Sequence, residues 1–291
     1  MPSPFLSVVI PTFNDYRGLS MTVQSLGLNH DRRFFEVVVL DNYCKCEDTK
    51  KFCLENVDRY VEDVSSQGTC YAKNAGIYRA HGEFCLVIDS HVNLACGAIN
   101  RLIKLLSQTP EAEHNIYHGF LVDSRGKVQA TELKPIWSKG MWGKWHNRFE
   151  TPEEEAAVVE PFEIWGHGGA VFCVNRRRWH GFHKDAKGFG GEEGAIQEIY
   201  RSRGGKALCL PFLRWTHSFN NGKTVPHPIW VDDKLRNYLL NFSLLPSPET
   251  RWADCLNHFS NLLSFDKIRT ICSEVLPADC WFEHSVKLGR K

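Results

Sequence analysis

The chain has 291 residues, of which 43% are hydrophobic and 24% charged, values that are ordinary for a globular protein with a sizeable core. Its formal net charge of +1 excludes the strong overall field of a protein that binds nucleic acids or membrane surfaces by total charge alone. No apolar run approaches the ~18–20 residues needed to span a bilayer, so we expect no stable membrane insertion.

The cysteines and the first residues both indicate a cytoplasmic protein. The 11 cysteines are an odd number and fall mostly in apolar runs, which is typical of reduced, buried thiols. Cys44 and Cys46 form a C-x-C pair, but no second pair follows at a zinc-binding spacing, which disfavours a zinc site. The amino terminus lacks the basic and apolar regions of a signal peptide. We therefore expect the protein to work in the cytoplasm.

Short apolar runs alternate with stretches of helical spacing over the first 110 residues. The apolar runs predict buried strands at residues 5–10, 34–40 and 84–88, and a short strand is predicted at residues 60–64. The helical spacing predicts helices at residues 19–28, 48–56, 69–80 and 98–107. This alternation is typical of an α/β fold with a mostly parallel central sheet flanked by helices.

The pattern changes after residue 110. A turn sequence at residues 123–126 predicts a hairpin over residues 117–133. The acidic segment 151–160 is interpreted as helical or mobile. Further strands are predicted at residues 168–174 and 207–210, and further helices at residues 192–203 and 229–242. Helical periodicity over residues 256–275 indicates a small helical extension at the carboxyl end.

Polar residues follow three of the predicted strands. Because ligands of parallel α/β sheets lie beyond the carboxyl ends of the strands, these residues predict one pocket. We expect Asp41 to bond the base or ribose of a nucleotide, although a turn cap is the alternative. The strand-end residues are Pro11, Thr12 and Asn14, then Asp41, then Asp89, Ser90 and His91.

Asp89 and His91 stand two positions apart at a strand end, so both side chains can face one site. A carboxylate oxygen and an imidazole nitrogen suit Mn²⁺, or Mg²⁺, with the oxygens of a diphosphate as further ligands. Such an ion neutralises charge on a leaving nucleotide diphosphate. The alternative is that Asp89 caps the next segment and His91 is a loop histidine.

Lys73 and Asn74 lie early in the predicted helix that precedes this strand. A helix start that carries a lysine suits a phosphate group or the edge of a uridine. A solvated lysine on a helix face is the alternative interpretation. We therefore place both residues in the candidate donor site.

The order of these motifs resembles a known family. The chain carries P-T-F-N at 11–14, L-D-N at 40–42 and A-K-N-A-G-I-Y-R-A-H-G-E-F-C-L-V-I-D-S-H at 72–91. These motifs, in this order, are similar to those of the nucleotide-sugar transferases of the GT-A, family 2-like superfamily. The tripeptide D-S-H resembles that of the polypeptide N-acetylgalactosaminyltransferases. Similar motifs continue downstream, at residues 168–172, 190–193, 204–217 and 230–234.

The resemblance implies a Rossmann-like GT-A domain that uses a UDP-sugar, carrying a hexose or an N-acetylhexosamine. It implies that His217 is the third metal ligand, that Glu192 lies near the transferred sugar, and that Gly169 and Gly191 line the donor site. It also implies retention of anomeric configuration. In an inverting relative, a carboxylate at Glu192 or Glu193 would be the general base. Both glutamates could instead simply favour a helix start.

The segment 134–148 interleaves tryptophans with cations, a composition that suits stacking on bases and contact with phosphates. It equally suits sugar rings, a flap over the donor, or a loop anchored on the core by its tryptophans. The candidate acceptor-binding residues are Trp137, Trp142, Lys144, Trp145 and Arg148.

We predict a metal-dependent glycosyltransferase whose acceptor is a hydroxymethylated base in DNA, as in bacteriophage genome modification. Protein Ser/Thr and glycan acceptors are the alternatives, and a non-catalytic sugar- or nucleic-acid-binding module is the alternative class. Within a catalytic domain at residues 1–240, residues 1–110 form the nucleotide-binding half and 111–240 complete the metal and acceptor sites. Residues 241–291 form the helical extension.

Overall fold

A computed structural model describes residues 4–218 and 229–277 of the chain. The strands, in chain order, are β1 (Leu6–Thr12), β2 (Phe35–Asp41), β3 (Arg59–Glu62), β4 (Phe84–Ile88), β5 (Val92–Leu94), β6 (Ile116–Val122), β7 (Val128–Ala130), β8 (Glu132–Ser138), β9 (Met141–His146), β10 (Phe162–Glu163), β11 (Val171–Asn175) and β12 (Ala207–His217). The α-helices are α1 (Tyr16–Asn29), α2 (Glu47–Asn56), α3 (Thr69–Arg79), α4 (Ala98–Gln108), α5 (Pro152–Ala157), α6 (Ala195–Ser202), α7 (Val231–Phe242), α8 (Glu249–Phe259) and α9 (Phe265–Val275).

The central sheet has the strand order β10-β12-β6-β11-β4-β1-β2-β3. In its first half, β4, β1, β2 and β3 pair in parallel, as the alternation of strands and helices predicted. In its second half, β11 runs antiparallel to both β4 and β6, while β12 pairs in parallel with β6. The carboxyl ends of β1, β2, β4 and β12 therefore point to the same edge of the sheet. The predicted α/β class, with a central sheet flanked by helices, is confirmed.

Successive side chains of the central strands pack on opposite faces of the sheet. In β1, Val8 and Ile10 join a core cluster with α1 and α4, whereas Val9 joins a cluster that contains residues of α3 and α6. A third cluster packs α7, α8 and α9 against Trp142 of the β8–β9 hairpin. Helices thus cover both faces of the sheet, and its polar edge is left for the site.

Two predicted segments differ from the observed elements. The tryptophan-rich stretch after residue 134, interpreted as a loop or flap, is the antiparallel hairpin of β8 and β9. The helix predicted at 192–203 begins later, at Ala195, because the glycines before it have positive φ angles that a helix does not contain. They are Gly190 (φ 85°), Gly191 (φ 86°) and Gly194 (φ 73°).

The length and composition of a helix decide whether it can cross a membrane. Within residues 4–218 and 229–277, no helix combines the length and the apolar character that crossing a bilayer requires.

Candidate metal and donor site

Asp89, His91 and His217 converge at the polar edge of the sheet, with one ligand atom of each within 4.8 Å of the others. The Nε2 atoms of the two histidines lie 3.1 Å apart. His217 Nε2 lies 3.7 Å from Asp89 Oδ2. The sequence analysis placed these three residues around one cation, and the fold brings them together.

Local pairing explains how residues so distant in sequence meet. Asp89 follows the last residue of β4, and the short strand β5 that comes after His91 turns to pair with the end of β12. In that pairing Val92 stands opposite His217, and the Ser218 N–H donates to the His91 carbonyl at 3.0 Å. The backbone therefore fixes the two histidines side by side before any ion binds.

Asp15, which the sequence analysis did not single out, orients the site from behind. Its Oδ2 accepts hydrogen bonds from His91 Nδ1 at 2.7 Å and from Ser90 Oγ at 2.7 Å. A carboxylate can only accept, so His91 carries its proton on Nδ1 and turns its Nε2 lone pair toward Asp89 and His217. Asp15 also caps α1 by accepting the Gly18 N–H.

Hydrogen bonds and neighbouring charges shift the pKa values of Asp89 and His91 in the direction opposite to the effect of burial. Burial raises the pKa of Asp89, but the hydrogen bond from His217 and the charges of Lys73 and the histidines outweigh it, so the net pKa is lowered. Burial lowers the pKa of His91, but the hydrogen bond to Asp15 and the charge of Asp89 outweigh it, so the net pKa is raised. Asp89 is thus ionised at neutral pH, as a cation ligand must be.

The donor set fits a divalent ion. One carboxylate oxygen and two imidazole nitrogens are ligands that Mn²⁺ accepts, and a diphosphate could complete the shell. Adjacent ligands of an octahedral ion with bonds of about 2.1 Å lie about 3.0 Å apart. The 3.1 Å separation between the two histidine nitrogens is close to that spacing, whereas the 3.7 Å separation between His217 and Asp89 is wider.

Lys73 and Glu192 form a buried ion pair beside the metal ligands. Lys73 Nζ donates to Glu192 Oε1 at 3.3 Å, and the two residues are 4% and 2% exposed. The second oxygen, Glu192 Oε2, is buried and has no hydrogen-bond partner among the described residues. Gly169 borders the pair, because a Cβ there would lie 2.7 Å from Lys73 Nζ. A polar ligand group could satisfy the unpaired oxygen.

Glu193 lies in the same loop, ahead of α6 rather than within its first turn. Burial, followed by the neighbouring charge of Glu192, raises its pKa to about 7. A carboxyl group with such a pKa can take up and release a proton near neutral pH. Gly191 allows close packing of this loop on α7, since a Cβ there would lie 2.5 Å from Asn237 Cβ.

The strand-end residues of β1 and β2 lie at the same edge, where Thr12 pairs with Asp41. Asp41 is buried, and its two oxygens accept the Cys44 N–H at 2.8 Å and the Tyr60 hydroxyl at 2.6 Å. Asn14 Oδ1 accepts the Lys45 N–H at 2.9 Å, which ties the two loops together. Pro11, in β1, precedes these residues. Asp41 and Asn14 thus shape this edge of the sheet through contacts within the chain.

Asn74 uses its amide to hold the chain after β11. Its Nδ2 donates to the Phe182 carbonyl at 2.8 Å, and its Oδ1 accepts the Trp179 Nε1–H at 2.9 Å and the Phe182 N–H at 3.0 Å. This amide is therefore engaged within the protein, whereas the neighbouring Lys73 faces Glu192.

The five candidate acceptor residues fall into two groups. Trp137 stacks on His258 at 4.9 Å between ring centroids, Trp142 is 6% exposed, and Arg148 forms an ion pair with Glu132. These three hold the hairpin in place.

Lys144 and Trp145 form the second group, whose side chains are accessible to solvent. Lys144 is exposed, and Trp145 is 38% exposed. The Trp145 ring packs edge-on against His167 and over Gly168, where a Cβ would lie 2.5 Å from the indole. Trp145 therefore packs on the residue that precedes Gly169, and Gly169 borders the Lys73–Glu192 pair.

The mixed sheet, the Asp-x-His sequence after β4 and the second histidine at the end of β12 define a GT-A fold with a candidate metal site. The sequence profile of glycosyl transferase family 2 matches residues 7–177, and the chain belongs to this family. No functionally curated protein matches the chain.

Three solved structures share the fold at low sequence identity. GalNAc-T7 with UDP, GalNAc and Mn²⁺ is 18% identical, with a TM-score of 0.65 over 89% of this chain and 55% of that one. The chain thus spans about half the length of GalNAc-T7. The mannosyltransferase PcManGT from Pyrobaculum calidifontis, with GDP-Man and Mn²⁺, is 14% identical (TM-score 0.55; 99% and 80% covered). S. aureus TarS with UDP-GlcNAc is 13% identical (TM-score 0.54; 97% and 80% covered).

Proposed function

We propose that the chain is a metal-dependent glycosyltransferase that moves a sugar from a UDP-sugar to a hydroxyl acceptor. The convergence of Asp89, His91 and His217 at the polar edge of a family 2 fold carries this proposal. Two of the three structures described above contain a uridine nucleotide, and two contain Mn²⁺. These facts support a UDP-sugar and Mn²⁺, with Mg²⁺ as a substitute.

Each group at the site has a role in this scheme. Asp89, His91 and His217 would hold the ion, which supplies a Lewis acid that neutralises the leaving diphosphate. Glu192, held in place by Lys73, would accept a hydrogen bond from a hydroxyl of the transferred sugar at its unpaired Oε2. Glu193 would take the acceptor proton in an inverting reaction. In a retaining reaction the leaving phosphate would take it instead.

For the acceptor we propose a hydroxymethylated base in DNA. Lys144 and Trp145 are the support, because an exposed indole can stack on a base while a neighbouring ammonium contacts a phosphate. Trp145 borders the Gly168–Gly169 side of the site, where a flipped base could reach the donor sugar.

The test incubates the purified protein with a panel of UDP-sugars and Mn²⁺ or Mg²⁺. The acceptors are hydroxymethylated duplex DNA, Ser/Thr peptides and glycans, and products are identified by mass spectrometry. We expect transfer to the DNA. Asp89→Ala should lower the rate on the order of a thousandfold, because metal stabilisation of the leaving group is worth several kcal/mol. The matched control is Asp48→Ala, at an exposed position on α2.

The outcomes separate the parts of the proposal. Transfer to peptide or glycan alone would refute the DNA acceptor and leave the glycosyltransferase intact. UDP release that is equal in wild type and Asp89→Ala would refute the metal site. Nucleotide binding without turnover on any acceptor would point to a non-catalytic binding module.

A further inference from the structure

A cluster of basic side chains lies at the edge of the sheet opposite to the metal site. β11 runs antiparallel to β4, with Val171 paired to Ile88 near the metal ligands and Asn175 paired to Phe84 at the far edge. Three segments meet beyond that far edge and together hold six arginine and lysine residues but two glutamates: residues 111–115, 175–180 and 200–206.

The backbone of this region is held by its own hydrogen bonds. Asn175 Oδ1 accepts the N–H groups of Arg177 at 3.0 Å and Arg178 at 3.2 Å. The Gly205 N–H donates to the Tyr200 carbonyl at 3.0 Å, and Lys206 N–H donates to Asn115 Oδ1 at 2.9 Å. The cations are therefore presented on a preformed surface, which lowers the entropy cost of binding.

Four exposed cations of this surface, which we call the basic edge, are Arg177, Arg178, Arg203 and Lys206. Within the described ranges 4–218 and 229–277, none of the four forms an ion pair, whereas eight of the other 14 arginines there do. Of the two glutamates in the three segments, Glu113 lies 3.6 Å from His114.

The partly buried His180 lies close to two of these charges. His180 packs on Tyr200 with 4.6 Å between ring centroids, and so lies between the segments that carry Arg178 and Arg203. Burial is the main cause that lowers the pKa of His180 to about 4, and the positive charges of Arg203 and Arg178 lower it further. The three segments therefore carry a local excess of positive charge on a chain of near-zero net charge.

We propose that the basic edge binds the phosphodiester backbone of nucleic acid, as an anchor separate from the catalytic site. Unpaired arginines suit phosphate oxygens, and such contacts bind without reading sequence. A membrane surface is the less suitable anion, because interfacial binding also uses exposed apolar side chains. Within the three segments no large hydrophobic residue is exposed in the structure as described.

This anchor deepens the proposed function, on which it rests for the identity of the acceptor. Its test is a binding measurement without any UDP-sugar, by fluorescence anisotropy with a short unmodified DNA duplex between about 50 and 200 mM salt. The test variant is Arg177→Glu with Arg178→Glu. The matched control is Lys50→Glu with Lys51→Glu, an equal charge change at two exposed positions of α2.

We expect the test variant to bind about tenfold more weakly, with a salt slope smaller by about 2, since each phosphate contact contributes about 0.9. The control should stay within about twofold of wild type. Circular dichroism checks that both variants are folded, and Arg203→Gln with Lys206→Gln repeats the test without charge reversal.

Equal losses in the test and control variants, or no loss in either, would overturn the anchor. Wild-type binding to phosphatidylserine vesicles but not to the duplex would overturn the nucleic-acid assignment. Because no donor is present, a basic edge that binds DNA while no UDP-sugar is turned over would refute the proposed function alone.

Discussion

At the scale of single residues, the three candidate ligands differ in how far the sequence could predict them. Asp89 and His91 follow a buried strand at alternate positions, so local geometry predicts a shared site. His217 is distant in sequence, and only the resemblance to a known family marked it. Asp15 carried no signal, because its role depends on a contact across 76 residues that only the folded chain creates.

The contact between Asp15 and His91 leads to a prediction about metal affinity. Asp15→Asn keeps an oxygen that can cap α1, but it removes the charge that fixes the His91 tautomer. Loss of such a carboxylate partner typically costs 10–100-fold in metal affinity, and we expect a loss of about that size. The measurement is Mn²⁺ titration followed by electron paramagnetic resonance, without donor.

Asp31→Asn is the control for this prediction. Asp31 also caps a short helical turn, but its carboxylate pairs with Arg33 rather than with a metal ligand, and its side chain is 31% exposed. We expect wild-type Mn²⁺ affinity for this variant. A wild-type affinity for Asp15→Asn as well would show that His91 needs no carboxylate behind it.

At the scale of elements, periodicity predicted most of the fold because each core strand and helix buries a continuous apolar face. The β8–β9 hairpin escaped prediction because its tryptophans are spread over both sides of a short ribbon. Trp142 is buried, and its backbone N–H donates to the hydroxyl of Tyr238 in α7 at 2.7 Å, whereas Trp145 is 38% exposed. Composition alone does not separate these two environments.

Trp142 and Trp145 lead to different predictions for the free energy of unfolding. Trp142→Ala should lower the free energy of unfolding by about 3–5 kcal/mol, the usual cost of emptying a large aromatic site in a core. Trp145→Ala, at a site that is 38% exposed, should change that free energy by less than about 1 kcal/mol. Urea unfolding followed by circular dichroism measures both.

Measurements of enzyme activity distinguish the roles of Trp145 and Trp142 further. If Trp145 contacts the acceptor, Trp145→Ala should raise KM for the acceptor several-fold and leave KM for the UDP-sugar unchanged. A large destabilisation by Trp145→Ala, or no change in acceptor KM, would make Trp145 a packing residue like Trp142.

At the scale of the whole molecule, the third core cluster crosses the boundary predicted near residue 240. Leu235 and Tyr238 of α7 share that cluster with Trp252 of α8 and Ile268 of α9, and Trp142 of the hairpin joins them. Sequence periodicity could place these helices but not their partners, because it shows which face is apolar and not what covers it. The separation of residues 1–240 from 241–291 stays a prediction.

That packing predicts that the described part of the chain unfolds as one cooperative unit. Ending the chain after Ser243 removes α8 and α9 and exposes the apolar faces of α7 and the hairpin. We expect the shortened chain to aggregate, or to lose the sharp urea transition seen by both tryptophan fluorescence and circular dichroism. A shortened chain that unfolds cooperatively and still binds UDP with Mn²⁺ would show that the helical extension is an independent domain.

A pair of point variants tests the same packing in the full chain. Ile268 is 1% exposed within the third cluster, whereas Leu262, in the turn before α9, is 43% exposed. Ile268→Asp buries an unpaired carboxylate and should destabilise the whole protein by about 4 kcal/mol or more, while Leu262→Ser should cost less than about 1 kcal/mol. If α8 and α9 were independent, Ile268→Asp would leave the main urea transition and UDP binding unchanged. If the protein has one core, both should shift together, because α7 of this cluster donates hydrogen bonds from Asn237 and Asn241 to the Gly190 and Gly191 carbonyls beside Glu192.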